Sequence, residues 1–575
     1  MKIKEVSKDK KKEIRLITAA LPYINNIPHL GHIVGSHLPA DIFARYCRLK
    51  GYETLFVGGT DENGSASEIA AEEVGEDINI FSQKLHEEHK KIYKWFNISY
   101  DNFSRTSNLI HYRTTQKFFK KIYKNGFIKE GTMEVFYSPK EKRYLPDRYI
   151  KGICPKCGYE DANGDQCEKC TSLLDATQLL QPRSILSGER VEIRTVKHLF
   201  FRLDQLSEKL NDWLKTKNFW RPQVKKIALG WIKEGLKERC ITRDLKHGIR
   251  VPLKEYKDKV FYVWFDAPIG YISATKEVLP TKWKNFWQDT NAKVYHFLGK
   301  DNIPFHTIFW PALLMAHGDF NLPYHVEGLQ YLTYEGEKFS KSKKTGVFCE
   351  KLPESGVEAD IFRAYLILII PDSKDAEFKW SDFQLKINSD IIGNYGNFIN
   401  RTLSFIYYKL GGKLQKIRQE DFTDSDKKLI SIIKEKTKKI NEYLERVYLK
   451  KAFLEILSLS SSGNKYFNEN EPWHLINKNI SRTNNILYLC AHLCRALAIL
   501  TYPYLPTTAN KIWYQLNLGD DIAEKEGVWE TINDIDILDN HTFNRPHILF
   551  NKLDNNTISK LKELTLKPTD LKDYF

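Results

Sequence analysis

The sequence predicts an α/β catalytic domain on a doubly wound, Rossmann-like parallel sheet, interrupted by a metal-bearing insertion and followed by an all-α helical bundle. Three observations carry that expectation. The chain opens on a strand–helix–strand unit, a turn-rich segment holding four close cysteines follows, and helical spacing then persists from 387 to 545. A chain of 575 residues is too long for one hydrophobic core, so several domains are expected.

Ile14 to Ala20 is a short apolar run suited to a buried strand, and Pro22 to Pro28 is a turn region. From Gly31 to Lys50, Ile33, Leu38, Ile42, Phe43, Tyr46 and Leu49 recur at helical spacing, and Gly51 is placed to cap the helix. Glu53 to Val57 reads as a second strand running into Gly58-Gly59. No GxGxxG turn is present, so this is not a standard dinucleotide site. Residues 1–125 are taken as the first half of the catalytic domain and 126–236 as an insertion of short strands and turns. Strand-like runs return at Val260 to Phe265, Val294 to Leu298 and Tyr324 to Gly328, making 237–335 the second half. A Lys/Ser-rich loop at 338–344 opens a region at 336–386, the helical domain occupies 387–545, and 546–575 is a C-terminal segment. There is no internal repeat.

A composition 42% hydrophobic and 28% charged belongs to a folded protein rather than a disordered one. The net charge of +15 suits a polyanionic partner, although a lysine-rich genome would leave the same surplus. The charged stretch Lys2 to Lys12 lacks the apolar core of a signal peptide. His492 and Arg495 interrupt the apolar stretch Ile486 to Leu505, so it reads as a buried helix and no membrane association is expected. Five of the nine cysteines are scattered at 47, 240, 349, 490 and 494, which is no disulfide framework and suits a reducing cytoplasm.

The other four form two CxxC turns, Cys154 with Cys157 and Cys167 with Cys170. Two such turns at this separation make a four-thiolate tetrahedral site for one structural Zn2+, because four protein ligands leave no open position.

His29, Gly31 and His32 lie in Pro28-His29-Leu30-Gly31-His32, where the first strand hands over to the first helix. Unpaired N–H groups at a helix start suit a phosphate, and two imidazoles can donate hydrogen bonds as charge shifts in a transition state. Two capping histidines in a turn would look the same. Lys338 and Lys341, in Lys338-Phe339-Ser340-Lys341-Ser342, can clamp a departing pyrophosphate; a solvated surface loop is the ordinary alternative. The two motifs together, flanking a nucleotide-type sheet, are more specific than either.

Together they resemble the HIGH and KMSKS signatures of the class I aminoacyl-tRNA synthetases, and the sequence around them is similar to the methionyl-tRNA synthetase family over nearly the whole chain. The resemblance rests on Ala19-Ala20-Leu21-Pro22-Tyr23, His29 to His32, Gly59 to Gly64, Trp264 to Tyr271, and Gly299-Lys300-Asp301 through His306 and Trp310, in family order. Phe339 departs from the usual Met. The resemblance implies that Leu21, Tyr23, Trp264, Ala267, Pro268, Tyr271, Phe305, His306 and Trp310 line a methionine pocket. Aromatic faces receive a thioether well, at roughly 0.3–1.5 kcal/mol per sulfur–aromatic contact. It implies that Asp61 holds the amino group, and that Lys300, Asp301 and Ser340 join His29, Gly31, His32, Lys338 and Lys341 around ATP with Mg2+. It further implies that the insertion faces the tRNA acceptor end. Some relatives carry a second cysteine knuckle there; the corresponding Ser138-Pro-Lys-Glu141 and Ser184-Ile-Leu-Ser187 have no thiolate, so one zinc is expected rather than two. Asn397, Arg401 and Trp473 match anticodon-reading positions, while one further family Asn aligns with Gly393, for which Asn394 is a substitute. The implied partners are tRNA(Met), ATP and L-methionine, and a monomer is expected.

Two rival functions deserve weighing. A class I synthetase for leucine or valine would carry a larger editing insertion, and one for cysteine would place zinc at the catalytic site. A non-catalytic tRNA-binding paralogue would not need His29, His32, Lys338 and Lys341 all intact.

Overall fold

The computed structural model describes residues 12–146, 149–164, 167, 169–170, 174, 176–338, 345–566 and 569–575. Its central sheet holds five parallel strands, β1 (Ile14–Ala19), β2 (Glu53–Thr60), β3 (Asn102–Arg105), β4 (Ala292–Gly299) and β5 (His325–Leu329), in the order β5-β4-β1-β2-β3. Strand β1 pairs with both β2 and β4, so the connections leave to opposite sides of it. Ligands in such sheets bind beyond the carboxyl ends of the strands at this switch point.

All six residues of β1 are buried, as a doubly covered parallel strand requires. Ile17 and Ala19 pack with Phe43 and Phe297, while Leu16 packs with Val57 and Leu298. The glycines ending β2 answer a close approach: a Cβ on Gly58 would lie 2.5 Å from the Tyr100 ring, and one on Gly59 2.6 Å from the Ser104 carbonyl. Strand β2 therefore runs on to Thr60, beyond the expected end at Val57.

Two further expectations need correction. The expected helix from Gly31 to Lys50 comes in three parts: one short turn, Leu30–His32, a wide π-type turn, Ile33–His37, and the regular helix α1 (Leu38–Leu49). The expected strand Val260 to Phe265 is strand only at Val260–Phe261, and Val263–Asp266 is a helical turn. A short apolar run does not distinguish a strand from a buried helix by its periodicity.

The insertion is built on a long antiparallel pair, Ile128–Ser138 with Glu192–Phe201. A small sheet, Ile150–Ile153 with Ala162–Asn163 and Leu180–Ser184, carries the cysteines. Between 126 and 236 the helices Ser207–Lys215 and Pro222–Glu234 were not evident from the pattern.

Three helices of equal length organise the C-terminal bundle: α2 (Asp424–Glu445), α3 (Leu449–Asn470) and α4 (Ile480–Thr501). Helix α4 is long and apolar enough to cross a membrane by length and composition, but its apolar window is wholly buried inside the protein. It ends at Thr501, and the rest of the apolar stretch turns toward a new helix, Pro506–Gln515. The first turn of α2 is fixed by a reciprocal cap between Thr423 and Asp426, and its last residue, Glu445, docks against the sheet domain. There Glu445 accepts from Arg15 at 2.7 Å, Tyr46 at 2.6 Å and Tyr52 at 2.8 Å.

Candidate active site and tRNA-facing surfaces

The turn after β1 sets both histidines by backbone hydrogen bonds. His29 Nδ1 accepts the Gly31 N–H at 3.0 Å, and His32 Nδ1 accepts the His29 N–H at 3.2 Å. With Nδ1 committed as acceptor in each ring, the proton of the neutral imidazole sits on Nε2. The rings lie 4.0 Å apart, and both are half-buried.

A stretch far away in sequence, just beyond the Lys338 loop, meets this turn. That loop's entry is the short strand Glu337–Lys338, paired with Leu332–Tyr334. Beyond it, Leu30 donates to Val347 O at 3.1 Å, Cys349 donates to Pro28 O at 3.1 Å, and His29 bridges to Phe348. Val347 to Cys349 thus strap directly onto the histidine turn. Phe339, Ser340, Lys341 and Ser342 lie outside the described residues, as does the placement of the Lys338 side chain.

Lys300 and Asp301 follow β4, on the other side of the switch point. Asp301 is exposed and accepts a hydrogen bond from the Tyr331 hydroxyl. Lys300 pairs with Asp375 at 3.0 Å and stands over the Tyr331 ring, 3.8 Å from its centre.

The aromatic residues expected around a methionine side chain converge beside this region. Trp264 and Phe305 stack at 3.5 Å with planes 6° apart, and Tyr23 meets Trp264 edge-on at 6.4 Å. Leu21 is half-buried, and its Cδ2 would touch a Cβ on Gly270 at 3.1 Å, so a side chain there would crowd it. Ala267, Tyr271 and His306 are buried, and Pro268 caps the helix Ile269–Val278 that carries Tyr271. The Tyr271 hydroxyl and His306 Nε2 are 2.9 Å apart, while His306 Nδ1 faces Asn302 O at 3.1 Å. A carbonyl only accepts, so Nδ1 donates to it; the neutral ring then takes the tyrosine proton on Nε2. Burial draws the His306 pKa down to about 4, which keeps that ring neutral near pH 7. Trp310 is fully buried, packed against Phe118 and Trp287.

Asp61 is buried, and its backbone is tied to the segment after β1 by Asp61 N–Pro22 O at 2.8 Å and Ile24 N–Asp61 O at 3.0 Å. Burial first, and then the nearby Asp266 charge, push its carboxyl well above the ordinary range. Sequence reasoning missed the surroundings of this carboxylate. Asn63 donates to Asp266 at 2.6 Å, and His111 faces Asp266 at 3.6 Å. His296 also went unremarked, although its Nδ1 lies 2.6 Å from Thr18 Oγ1 on β1 and its ring lies 5.3 Å from that of His306. Asp266 stands inside the Trp264 to Tyr271 segment; what the string does not reveal is that a charged residue there is buried.

The four cysteine sulfurs lie within 4.8 Å of one another, with Cys154–Cys170 at 3.8 Å and Cys157–Cys167 at 3.6 Å. A Zn–S bond of about 2.3 Å gives tetrahedral edges of about 3.8 Å, so these thiols can hold a metal ion. The degenerate second set also comes together. Glu141 donates its N–H to Ser138 Oγ at 3.2 Å, and its carboxylate accepts from Ser184 Oγ at 2.9 Å. Ser138 and Ser184 are buried, and hydrogen bonds hold this corner where thiolates are absent.

In the helical bundle, Arg401 Nη2 donates to Asn468 Oδ1 at 2.8 Å and its guanidinium lies 6.0 Å from the Trp473 ring centre. Asn397, one turn earlier, is exposed and reaches Asn464 at 3.4 Å. Trp473 is 38% exposed, on a single turn, Pro472–Leu475, rather than a long helix. Asn394, however, turns toward α3, donating to Leu457 O at 3.0 Å and accepting from Asn464. It lies in the wide π-type segment Ile387–Gly396, which shifts the helical phase relative to a regular α-helix.

Comparison with known proteins agrees with this geometry. Residues 15–403 match the family model for class I tRNA synthetases (M), and 418–564 match that for the anticodon-binding domain of methionyl-tRNA ligase. The chain is 41% identical to the methionine–tRNA ligase of Thermoplasma volcanium, over 95% of this chain and 99% of that protein. It is 39% identical to that of Methanopyrus kandleri, over 96% and 81% respectively. The fold matches Mycobacterium tuberculosis methionyl-tRNA synthetase, solved with methionyl-adenylate, at a TM-score of 0.77 and 24% identity, covering 94% of this chain and all of that one. With such identity sustained from end to end, the chain belongs to the methionyl-tRNA synthetases, a family of class I aminoacyl-tRNA ligases.

Proposed function

We propose that this protein activates L-methionine with ATP, giving methionyl-adenylate and pyrophosphate, and then esterifies the 3'-terminal adenosine of tRNA(Met). The observation that carries this reading is the strapping of Val347 to Cys349 onto the His29–His32 turn at the switch point, in a chain that also stacks Trp264 on Phe305. In it the methionine carboxylate attacks the α-phosphate and pyrophosphate leaves; Mg2+ accompanying ATP would offset the phosphate charge. No side-chain nucleophile is needed, so the protein positions the reactants and offsets phosphate charge. His29 and His32 present Nε2–H donors, Gly31 allows close backbone approach, and Lys338 and Lys341 meet the departing pyrophosphate. Ser340 joins that loop, and Lys300 and Asp301 meet the nucleotide from β4. Asp61 anchors the ammonium, and Leu21, Tyr23, Trp264, Ala267, Pro268, Tyr271, Phe305, His306 and Trp310 enclose the thioether. Amino-acid-dependent ATP–pyrophosphate exchange tests the reading: methionine alone among the twenty should support it. Equal exchange with leucine, or none with any amino acid, would refute it. The protein is further proposed to act as a cytoplasmic monomer.

Cys154, Cys157, Cys167 and Cys170 are proposed to hold one structural Zn2+, which cross-links the insertion and supplies no reactive position. Elemental analysis of purified protein should give one zinc per chain. Two equivalents would mean the Ser138–Glu141–Ser184 corner also binds metal, and none would remove the cysteine assignment.

Trp473, with Asn397 and Arg401, is proposed to read the anticodon. Its exposed indole offers a stacking face worth roughly 1–3 kcal/mol per base, and the two polar side chains offer base-edge hydrogen bonds. Trp473→Ala should therefore lower aminoacylation about 10- to 100-fold while leaving methionine-dependent exchange and the melting temperature unchanged. The penalty should shrink with a tRNA whose CAU anticodon has been altered. Equal losses in exchange and aminoacylation would instead identify Trp473 as a packing anchor for Phe467, whose ring lies 5.9 Å away.

A further inference from the structure

Three carboxylates are buried around the end of β2 and the turn facing it: Asp61, Glu62 and Asp266. Glu62 is well served. Arg105 reaches it at 2.8 and 2.9 Å, Ser107 at 2.5 Å and Thr60 at 2.8 Å. Asp61 and Asp266 are not: each keeps an Oδ1 atom buried without a hydrogen-bond partner among the described residues. An unpaired buried charge is costly, and a cation brought to it relieves that cost.

Neighbouring side chains hold Asp266 in place. Asn63 Nδ2 donates to Oδ2 at 2.6 Å and also reaches Thr106 O at 3.2 Å. Ser273 Oγ donates to Gly270 O at 3.0 Å, so the contact at 2.9 Å between Ser273 and His111 Nδ1 uses the ring's own proton. His111 Nε2 is then left facing Asp266 at 3.6 Å with no other partner among the described residues. Tyr271 and His306, among the described residues near Asp61, bring no counter-charge. Burial, followed by the Asp61 charge, raises the Tyr271 pKa, and burial keeps His306 neutral. Glu62 is already matched by Arg105.

We propose that Asp266 is a positioning residue for the substrate ammonium: a second buried carboxylate that, held by Asn63 and faced by His111, makes the Asp61 site select a cation. The inference rests on the reading of Asp61 as the ammonium anchor. Asp266 acts through Asp61 in two ways. Its negative potential strengthens attraction for an ammonium. Added to the larger effect of burial, it also raises the Asp61 carboxyl above its ordinary range, so that protons compete with the incoming ammonium. Cation affinity should therefore fall as pH drops, because protons compete for the same pair.

Calorimetric binding of methioninol, which keeps the ammonium, and of 4-(methylsulfanyl)butanoate, which lacks it, separates charge from packing. Asp266→Asn should weaken methioninol about tenfold at neutral pH, leave the desamino acid bound no more weakly, and move the acid-side loss of methioninol affinity to lower pH. Asn63→Ala, which removes the donor stabilising the Asp266 charge, should move that loss to higher pH and serves if Asp266→Asn does not fold. Equal weakening of both ligands by Asp266→Asn, or pH profiles that neither variant shifts, would overturn the proposal. Asp61→Asn is the control on the underlying reading. If it spares methioninol binding, Asp61 is not the anchor; if it abolishes that binding while Asp266→Asn has no effect, the anchor stands and the role of Asp266 falls.

Discussion

His32→Ala should slow methionyl-adenylate formation by about 10²- to 10³-fold, the range found when one preorganised donor to a developing oxyanion is removed. Methionine affinity should hardly change, since an interaction made only in the transition state alters the rate of chemistry and not ground-state binding. The direction of the donor follows from the fold. The His29 N–H occupies His32 Nδ1, so Nε2–H is the end that the neutral ring presents. A glutamine places its amide nitrogen near the Nε2 position, whereas an asparagine places it nearer Nδ1. His32→Gln should thus retain more activity than His32→Asn. Pre-steady-state exchange would measure both. A raised methionine KM at unchanged rate, or an asparagine variant better than the glutamine one, would count against the assignment.

The sequence-level expectations succeeded where a residue type and a spacing suffice. The cysteines are legible because two CxxC turns have few other uses, and their sulfurs do converge. Strand β1 is legible because an apolar run of that length beside a Gly-terminated helix has one natural place in an α/β sheet. What was not legible depends on partners distant in the chain. Val260 to Phe265 looks like one strand until Tyr262 starts a helical turn, which turns Trp264 toward Phe305. Asn394 and Asn397 look equivalent three residues apart, yet a wide turn commits the first to α3 and leaves the second exposed. Asp266, a charged residue in an apolar segment, gives no sign in one dimension that Asp61 is its neighbour. The strap at Val347 to Cys349 is invisible for the same reason: it is made of backbone hydrogen bonds, which any sequence can form.

Arg363→Ala should destabilise the protein by about 3–5 kcal/mol, the cost of removing one partner from a buried ion pair. Arg363 is fully buried on the helix Ala359–Leu368, where the sheet domain meets the bundle. It donates to Asp41 at 2.8 Å on α1, to Phe96 O at 2.8 Å, and to Tyr504 O and Pro503 O at 2.7 and 3.0 Å beyond α4. Alanine would leave these acceptors unmatched at once. Asp41→Leu combined with Arg363→Met should recover only part of the loss, because three of the four acceptors are carbonyls that no apolar side chain satisfies. Chemical unfolding should also divide into two steps in Arg363→Ala, as the bundle separates before the sheet domain melts. The pH dependence has a definite sign. Although burial works the other way, Arg45 and Arg363 hold the Asp41 carboxyl below its ordinary value. The stability this pairing contributes is complete above the unfolded-state pKa of about 3.9. It is lost as pH falls through the lower folded value. The difference between wild type and Arg363→Ala should therefore be constant from pH 7 to 5 and shrink only in stronger acid. Denaturant midpoints across that range would measure it; a loss below 1 kcal/mol, or a difference already falling near neutrality, would show that another group carries the junction.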